Sequence, residues 1–486
     1  MKKISYVFFI FAIIAFSCSK DGMLNDFQVV DQQVNKSLVK SVNTFRVSPN
    51  GTDDTQSIID AFNQAKAAGP SSVVQLTPGT FRIGMITVQD FVGSFRGAGK
   101  GRTIITNLPN LPQADIWNAG IKYPALLKFV GGDLSMSDMT IHLADGPSVT
   151  NTDMIGDLYS ILFLTSTKYN ADDTQYTNTF IKASVDNVDF IAGYDGGIGF
   201  SLLGSSMYNV WSGIMFDTDT EWGQNPGLTK GDFSVTRCRF ENEVFSGTWI
   251  WGADKTTKAS FENNVYTGCP MQILLASCLG SEVNVKNNLF QNGSYCDLFI
   301  DNYNWLWVGS GALTQSAHFT VTGNNFQSPA GVTSLYMNDA RRPVFPDEGF
   351  PQLFEVSNNS FNTQDSGMAV QSLNNVGARI CNNRFSGTGK YGILVDGDEP
   401  SGTYAENITL PGNSFFKATY SDASIYLGAY TRNCKVVGYR TDKVINNGVD
   451  NIVIGLNPHR GFNYPAKNIM DKFRFGHDNL LLKRRQ

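Results

Sequence analysis

From about residue 180 to residue 430, apolar and polar positions alternate over short runs that stop at Asn or Gly. Period-two alternation broken by turn residues predicts short half-buried strands and excludes amphipathic helices. Aligned on one aromatic, the runs repeat a phrase of Asn, any residue, then Phe or Tyr. It occurs as Asn264-Val265-Tyr266, Asn288-Leu289-Phe290, Asn324-Asn325-Phe326, Asn359-Ser360-Phe361, Asn383-Arg384-Phe385 and Asn413-Ser414-Phe415. Looser copies precede it at Val188-Asp189-Phe190, Asn209-Val210-Trp211 and Cys238-Arg239-Phe240. Most intervals are about 20 to 30 residues, a solenoid period, and the longer ones flanking Phe326 imply loops.

A second short strand follows most of these aromatics, as in Ile273-Leu274-Leu275, Leu298-Phe299-Ile300, Leu335-Tyr336-Met337 and Ile393-Leu394-Val395. A coil of two or more such strands cannot bury its apolar face alone, so neighbouring coils must stack in parallel at about 4.8 Å. The repeated Asn then falls at one turn position, where its amide can bond to the next along the stack. A β-propeller would need blades of about 40 residues and hairpin turns, which are missing. The expected fold is all-β, a right-handed parallel β-helix of about a dozen coils ending near residue 440.

The segment before the repeat reads differently. Gly51-Thr52-Asp53-Asp54-Thr55-Gln56-Ser57-Ile58-Ile59-Asp60-Ala61-Phe62 predicts a capped helix with Ile58, Ile59 and Phe62 on its apolar face. Val73-Val74-Gln75-Leu76, Pro78-Gly79-Thr80-Phe81 and Phe95-Arg96-Gly97-Ala98-Gly99-Lys100-Gly101 follow it. This succession resembles the amino-terminal opening of the pectate lyase superfamily, in which a DDT-x-x-I helix caps the first coil and a Gly-rich turn leads to the next. The resemblance covers most of residues 43 to 440. It implies the fold and leaves the activity open among lyases, hydrolases, epimerases, tailspikes and binding proteins. It makes Asp53 and Asp54 capping residues and the run 97 to 101 a turn.

The chain begins with Lys2 and Lys3, an apolar run from Val7 to Phe16, then Ser17 and Cys18, the order of a secretory signal too short to span a bilayer. Ala15-Phe16-Ser17-Cys18 resembles the bacterial lipobox, which makes Cys18 the lipidated first residue of the mature protein. Ser19-Lys20-Asp21 resembles the export tag of Bacteroidetes surface lipoproteins. The expected organisation is a signal peptide at 1–17, a tether at 18–42, the β-helix at 43–455 and a cap or tail at 456–486. The expected location is the outer membrane, facing the cell surface or the periplasm, with the lipid as the only membrane contact.

A net charge of −5 disfavours nucleic acid as a partner. A monomer is expected. The other cysteines, Cys238, Cys269, Cys278, Cys296, Cys381 and Cys434, show neither a compact disulfide framework nor a CxxC metal pair and read as buried thiols.

In a solenoid of this kind a ligand is expected across one outward sheet face. Counting from the repeated aromatic gives an outward row of Gly199, Met215, Trp249, Leu274, Phe299, Tyr336, Ala369, Leu394 and Tyr426. The next row is Ser201, Asp217, Trp251, Ala276, Asp301, Asn338, Gln371, Asp396 and Gly428. Aromatics on such a face stack sugar rings, unless a long loop covers them as a satellite core. Asp195, Asp217, Asp219 and Glu221 are the candidate catalytic carboxylates, at spacings that suit either a glycosidase pair or Ca²⁺. The candidate substrate-binding set is Trp249, Trp251, Phe299, Asp301, Tyr336, Asn338, Asp339, Arg341 and Asp396. An Arg beside a carboxylate also suits uronate neutralisation and proton abstraction by a lyase. Two functions stay open: a hydrolase or lyase acting on a complex glycan, and a non-catalytic solenoid that binds glycan for adhesion.

Overall fold

The computed structural model describes residues 42–109, 125–143, 158–170, 176–192, 210–218, 229–242, 245–278, 280–301, 316–342, 352–439 and 443–456. All belong to one compact unit, Val42–Gln486. Cys18 and the proposed signal and tether up to residue 41 lie outside the described residues, as does the tail from residue 457. No helix among the described residues is long and apolar enough to cross a membrane.

The chain winds as a right-handed parallel β-helix with three strands per coil. One coil runs through Lys258–Glu262, Val265–Thr267 and Met271–Ala276, and the next through Glu282–Lys286, Leu289–Gln291 and Cys296–Asp301. Each strand pairs in parallel with its counterpart one coil on, as Lys258 does with Glu282, Tyr266 with Phe290 and Leu274 with Phe299. We call the face built by Met271–Ala276 and its counterparts the first face, that of Lys258–Glu262 the second and that of Val265–Thr267 the third. The stack continues past the expected end near residue 440, because Ile452–Leu456 still pairs with Lys435–Tyr439.

The repeated phrase is where the coils lock together. Its aromatics form one continuous stack inside the third face, Phe190–Phe240–Tyr266–Phe290–Phe326–Phe361–Phe385–Phe415, with centroids 4.7 to 5.3 Å apart. Each step adds about 0.5 to 1.5 kcal/mol beyond the area it buries. Asn209-Val210-Trp211 is not a copy of the phrase, because Phe190 stacks directly on Phe240 and Val210–Asp217 is a first-face strand.

The Asn of the phrase forms a buried amide ladder. Asn324 is representative: its Oδ1 accepts the backbone N–H and the Nδ2 of Asn288 at 2.9 and 3.0 Å. Its own Nδ2 donates to Val285 O and to Asn359 Oδ1. The ladder runs unbroken from Asn264 to Asn413. The residue before each rung has a left-handed backbone, at Asn263, Asn287, Gly323, Asn358, Asn382 and Gly412, which explains why only Asn and Gly stand there.

The helix, Thr55–Ala68, buries Ile58, Ala61, Phe62 and Ala65 against the first coils, and Phe62 touches Phe91, Phe95 and Phe129. Asp54 sits at its N-cap but its carboxylate does not cap the helix. It accepts the backbone N–H groups of Asn50 and Arg82 instead, tying the helix start to a third-face strand. The Gly-rich run is a turn as expected. A Cβ on Gly97 would stand 2.2 Å from the carbonyl of Asp138 in the next coil.

The six described cysteines are free and buried. Burial pushes the Cys238 and Cys278 thiols up to about 12, so they remain neutral core groups.

Candidate functional site

Register across the first face fixes which side chains share a row. The middle row reads Lys128, Phe163, Met215, Trp249, Leu274, Phe299, Tyr336, Gln371, Leu394 and Tyr426. The row beside it holds Thr165, Asp217, Trp251, Ala276, Asp301, Asn338, Leu373 and Asp396. The expectation slipped by two residues in one coil, where Gln371 rather than Ala369 occupies the middle row. The cause is Ser372, an inward polar residue whose hydroxyl accepts the Asn375 amide, so the apolar pair Met368 and Val370 misled the count.

Part of the expected row is sealed. Met215, Trp249 and Leu274 are buried in a second apolar cluster with Phe163, Met271 and Cys296, separate from the solenoid core. Trp249, at 3% exposure, is therefore corrected from a sugar platform to a core residue of this satellite cluster. Trp251, Phe299 and Tyr336 line the edge of the cluster and stay half-buried.

Phe299 and Tyr336 stack face to face, with centroids 4.6 Å apart and planes 8° apart. Tyr295, 55% exposed and 6.3 Å from Phe299, extends the apolar surface outward. Nothing in the alternation marked Tyr295, which precedes the strand.

A polar chain runs beside this pair. Asn374 Nδ2 donates to Asn338 Oδ1 at 2.9 Å, and Asn338 Nδ2 donates to Asp301 Oδ2 at 3.2 Å. Asp301 is only 5% exposed, so its carboxylate is fixed before any ligand arrives. Burial first, then the neighbouring Asp301 charge, raises the Tyr336 phenol above its ordinary value. That phenol stays protonated and serves as a hydrogen-bond donor at neutral pH. Asn374 was not foreseen, although an Asn directly after Leu373 repeats the position that Asp339 holds after Asn338.

Asp339 and Arg341 do not face outward. Arg341 Nε and Nη2 donate to the two Asp339 oxygens at 3.0 and 3.2 Å, with side-chain exposures of 3% and 0%. Gln352 N–H also donates to Asp339. Both residues are corrected from substrate binding to a buried ion pair that holds the turn after Asn338. The uronate-neutralising role expected of Arg341 falls with them.

Asp217 is buried, and its Oδ1 accepts the Thr218 N–H at 2.6 Å. Asp396 is half-buried and accepts the N–H groups of Gly397 and Tyr430. Along their row, Asp217, Asp301 and Asp396 are each three rungs apart, about 14 Å at sheet spacing. No two of them can act as a glycosidase pair, which needs about 5 to 9.5 Å. Asp195, Asp219 and Glu221 lie outside the described residues, so the expected carboxylate cluster is represented by Asp217 alone. Among the described residues no group of three His, Cys, Asp or Glu side chains is placed to hold a metal, and the Ca²⁺ expectation has no residues to rest on there.

No family model matches the chain, and no curated protein does. Three solved structures it is similar to are the A-module of mannuronan C-5 epimerase AlgE4 from Azotobacter vinelandii, the Agl-KA catalytic domain, and PfbA, a surface adhesin of Streptococcus pneumoniae. Identities are 15%, 12% and 11%, and TM-scores 0.40, 0.44 and 0.36. The alignments cover 86%, 86% and 79% of this chain and 98%, 69% and 93% of the others.

Proposed function

We propose that this is a polysaccharide-active β-helix protein that holds a glycan chain along its first face. The observation that carries the reading is the half-exposed Phe299–Tyr336 stack lying beside the hydrogen-bonded Asp301–Asn338–Asn374 chain. The outward edges of the stacked rings give apolar surface to the C–H groups of a sugar, while a fixed carboxylate and amide bond its hydroxyls. Sheet rungs at about 4.8 Å are close to the rise of one sugar in an extended chain, so one sugar per coil is the natural register.

Bond cleavage is part of this proposal, as glycoside hydrolysis or elimination at a uronate. Asp301 and the protonated Tyr336 supply an acid–base couple on the described face. A two-carboxylate hydrolase would have to draw its partner acids from Asp195, Asp219 and Glu221 beside Asp217. A second reading, non-catalytic binding, is favoured by the separation of the described carboxylates. Display through a lipid on Cys18 at the outer membrane completes the proposal and rests on the sequence.

A panel of plant, algal and host glycans separates the readings. New reducing ends without absorbance of an unsaturated uronate mean hydrolysis, both together mean elimination, and retention with neither means binding only. No retention of any glycan rejects the proposal.

A further inference from the structure

The second face carries a groove that neither the helix nor the first-face site uses. It opens over the first coils, with a volume of about 520 Å³, and its lining includes Val42, Pro78, Ala98, Arg46, Gln75 and Arg96. Thr44 and Thr77 also line it, so polar and apolar surface are mixed, the make-up of a site for a hydroxyl-rich ligand. Register places Arg46, Gln75 and Arg96 in one outward row on consecutive rungs, so the arginine backbones are two rungs apart, about 10 Å. Both guanidiniums are exposed, and neither has an ion-pair or hydrogen-bond partner among the described residues.

Between them Gln75 is fixed. Its Nε2 donates to the carbonyls of Leu76, Arg96 and Gly97 at 3.1, 3.2 and 3.0 Å. All of its donor capacity is thereby committed to the wall, which leaves Oε1 as its acceptor for a ligand. The row therefore reads cation, acceptor, cation, and no carboxylate lines the groove.

We infer that this groove is a second glycan site, for a strand with an anionic group on every other sugar. A disaccharide in an extended chain advances by about two sheet rungs, so successive carboxylates or sulfates meet Arg46 and Arg96. The intervening neutral sugar gives a hydroxyl to Gln75 Oε1. Guanidinium forks bind such oxyanions bidentately and need no change in the fold to do so. The site stands apart from the Phe299–Tyr336 face and does not depend on what that face does.

The experiment titrates the full chain with a hyaluronan octasaccharide, which carries a carboxylate on alternate sugars. Dextran, inorganic sulfate and phosphatidylglycerol vesicles are run in parallel. Binding of the octasaccharide that weakens with salt is expected, with at least a tenfold loss in R46Q/R96Q. The first-face variant F299A/Y336A should retain it, as should K66Q/K435Q, which removes the same charge elsewhere. The inference is overturned if the unmodified protein does not bind the octasaccharide, or if either control variant loses as much as R46Q/R96Q. It is equally overturned if only sulfate or vesicles bind.

Discussion

Asp297 is a carboxyl sealed inside the solenoid, and replacing it with Asn should change how stability depends on pH. Asp297 has no solvent exposure. Its Oδ1 accepts Gln272 Nε2 at 2.9 Å, and its Oδ2 accepts the Ser328 hydroxyl, which also meets Ser334 Oγ at 2.6 Å. Hydroxyl and amide donors do not replace hydration of a full charge, and burial raises the group from 3.8 to about 7 despite the Ser328 bond. Since the folded value lies above the unfolded one, the folded state binds the extra proton between about pH 4 and pH 7. Stability therefore falls as pH rises through that window. A shift of about three units corresponds to roughly 4 kcal/mol. In D297N the side-chain oxygen would still accept Gln272, and the new amide nitrogen would donate to Ser328, whose proton turns to Ser334. Urea denaturation at pH 4.5, 6 and 8 should show the parent losing several kcal/mol across the series relative to D297N. D297N should be the more stable protein at pH 8 and about equal at pH 4.5. Asp53, Asp186 and Asp422 are held below the ordinary carboxylate value by hydrogen bonds, chiefly from Thr55, Arg237 and Ser421 respectively. Their contributions are lost only on further acidification and are common to both proteins. Parallel pH profiles for the two would refute the reasoning.

Three further outcomes follow from the same contacts. Asn324→Ala leaves the Val285 carbonyl and two Asn288 donors unpaired in the core, so it should cost about 3 kcal/mol or more in a denaturant titration. Arg341→Met strands the Asp339 carboxylate and should destabilise by about 3 to 5 kcal/mol, whereas R341M/D339L should recover most of it in the same titration. Trp249→Ala should lower the melting temperature through lost packing, with a stability cost of about 3 to 5 kcal/mol. Glycan affinity measured below the transition should fall less for Trp249→Ala than for Tyr336→Ala.

The solenoid was legible because its cross-coil contacts repeat one residue type at one position. Asn324 and Phe326 meet Asn359 and Phe361, so the sequence shows the same phrase at every rung. The first face was only partly legible, since alternation says which side chains leave the core and not what covers them afterwards. Trp249 and Tyr336 share a row, yet one is sealed in the satellite cluster and the other is half-open. Asp339 and Arg341 misled for a related reason. Charged residues two apart after a strand read as exposed groups free to bind a substrate, while the bidentate pair lets both be buried. The internal polar group around Asp297 gave no signal at all, because Gln272, Ser328 and Ser334 come from two other coils and meet only in the folded chain.

The central claim is that the first face holds a glycan through Phe299, Tyr336 and Asp301. The most direct measurement is affinity electrophoresis of the parent, F299A/Y336A and D301N against a polysaccharide in the panel that retains R46Q/R96Q as well as the parent, so that binding in the second-face groove is not what is read. F299A/Y336A should lose retention by at least tenfold while its circular dichroism is unchanged. D301N should weaken retention, by less than F299A/Y336A does, and it should lose any bond cleavage the parent shows. Undiminished retention of F299A/Y336A on that polysaccharide would contradict the claim.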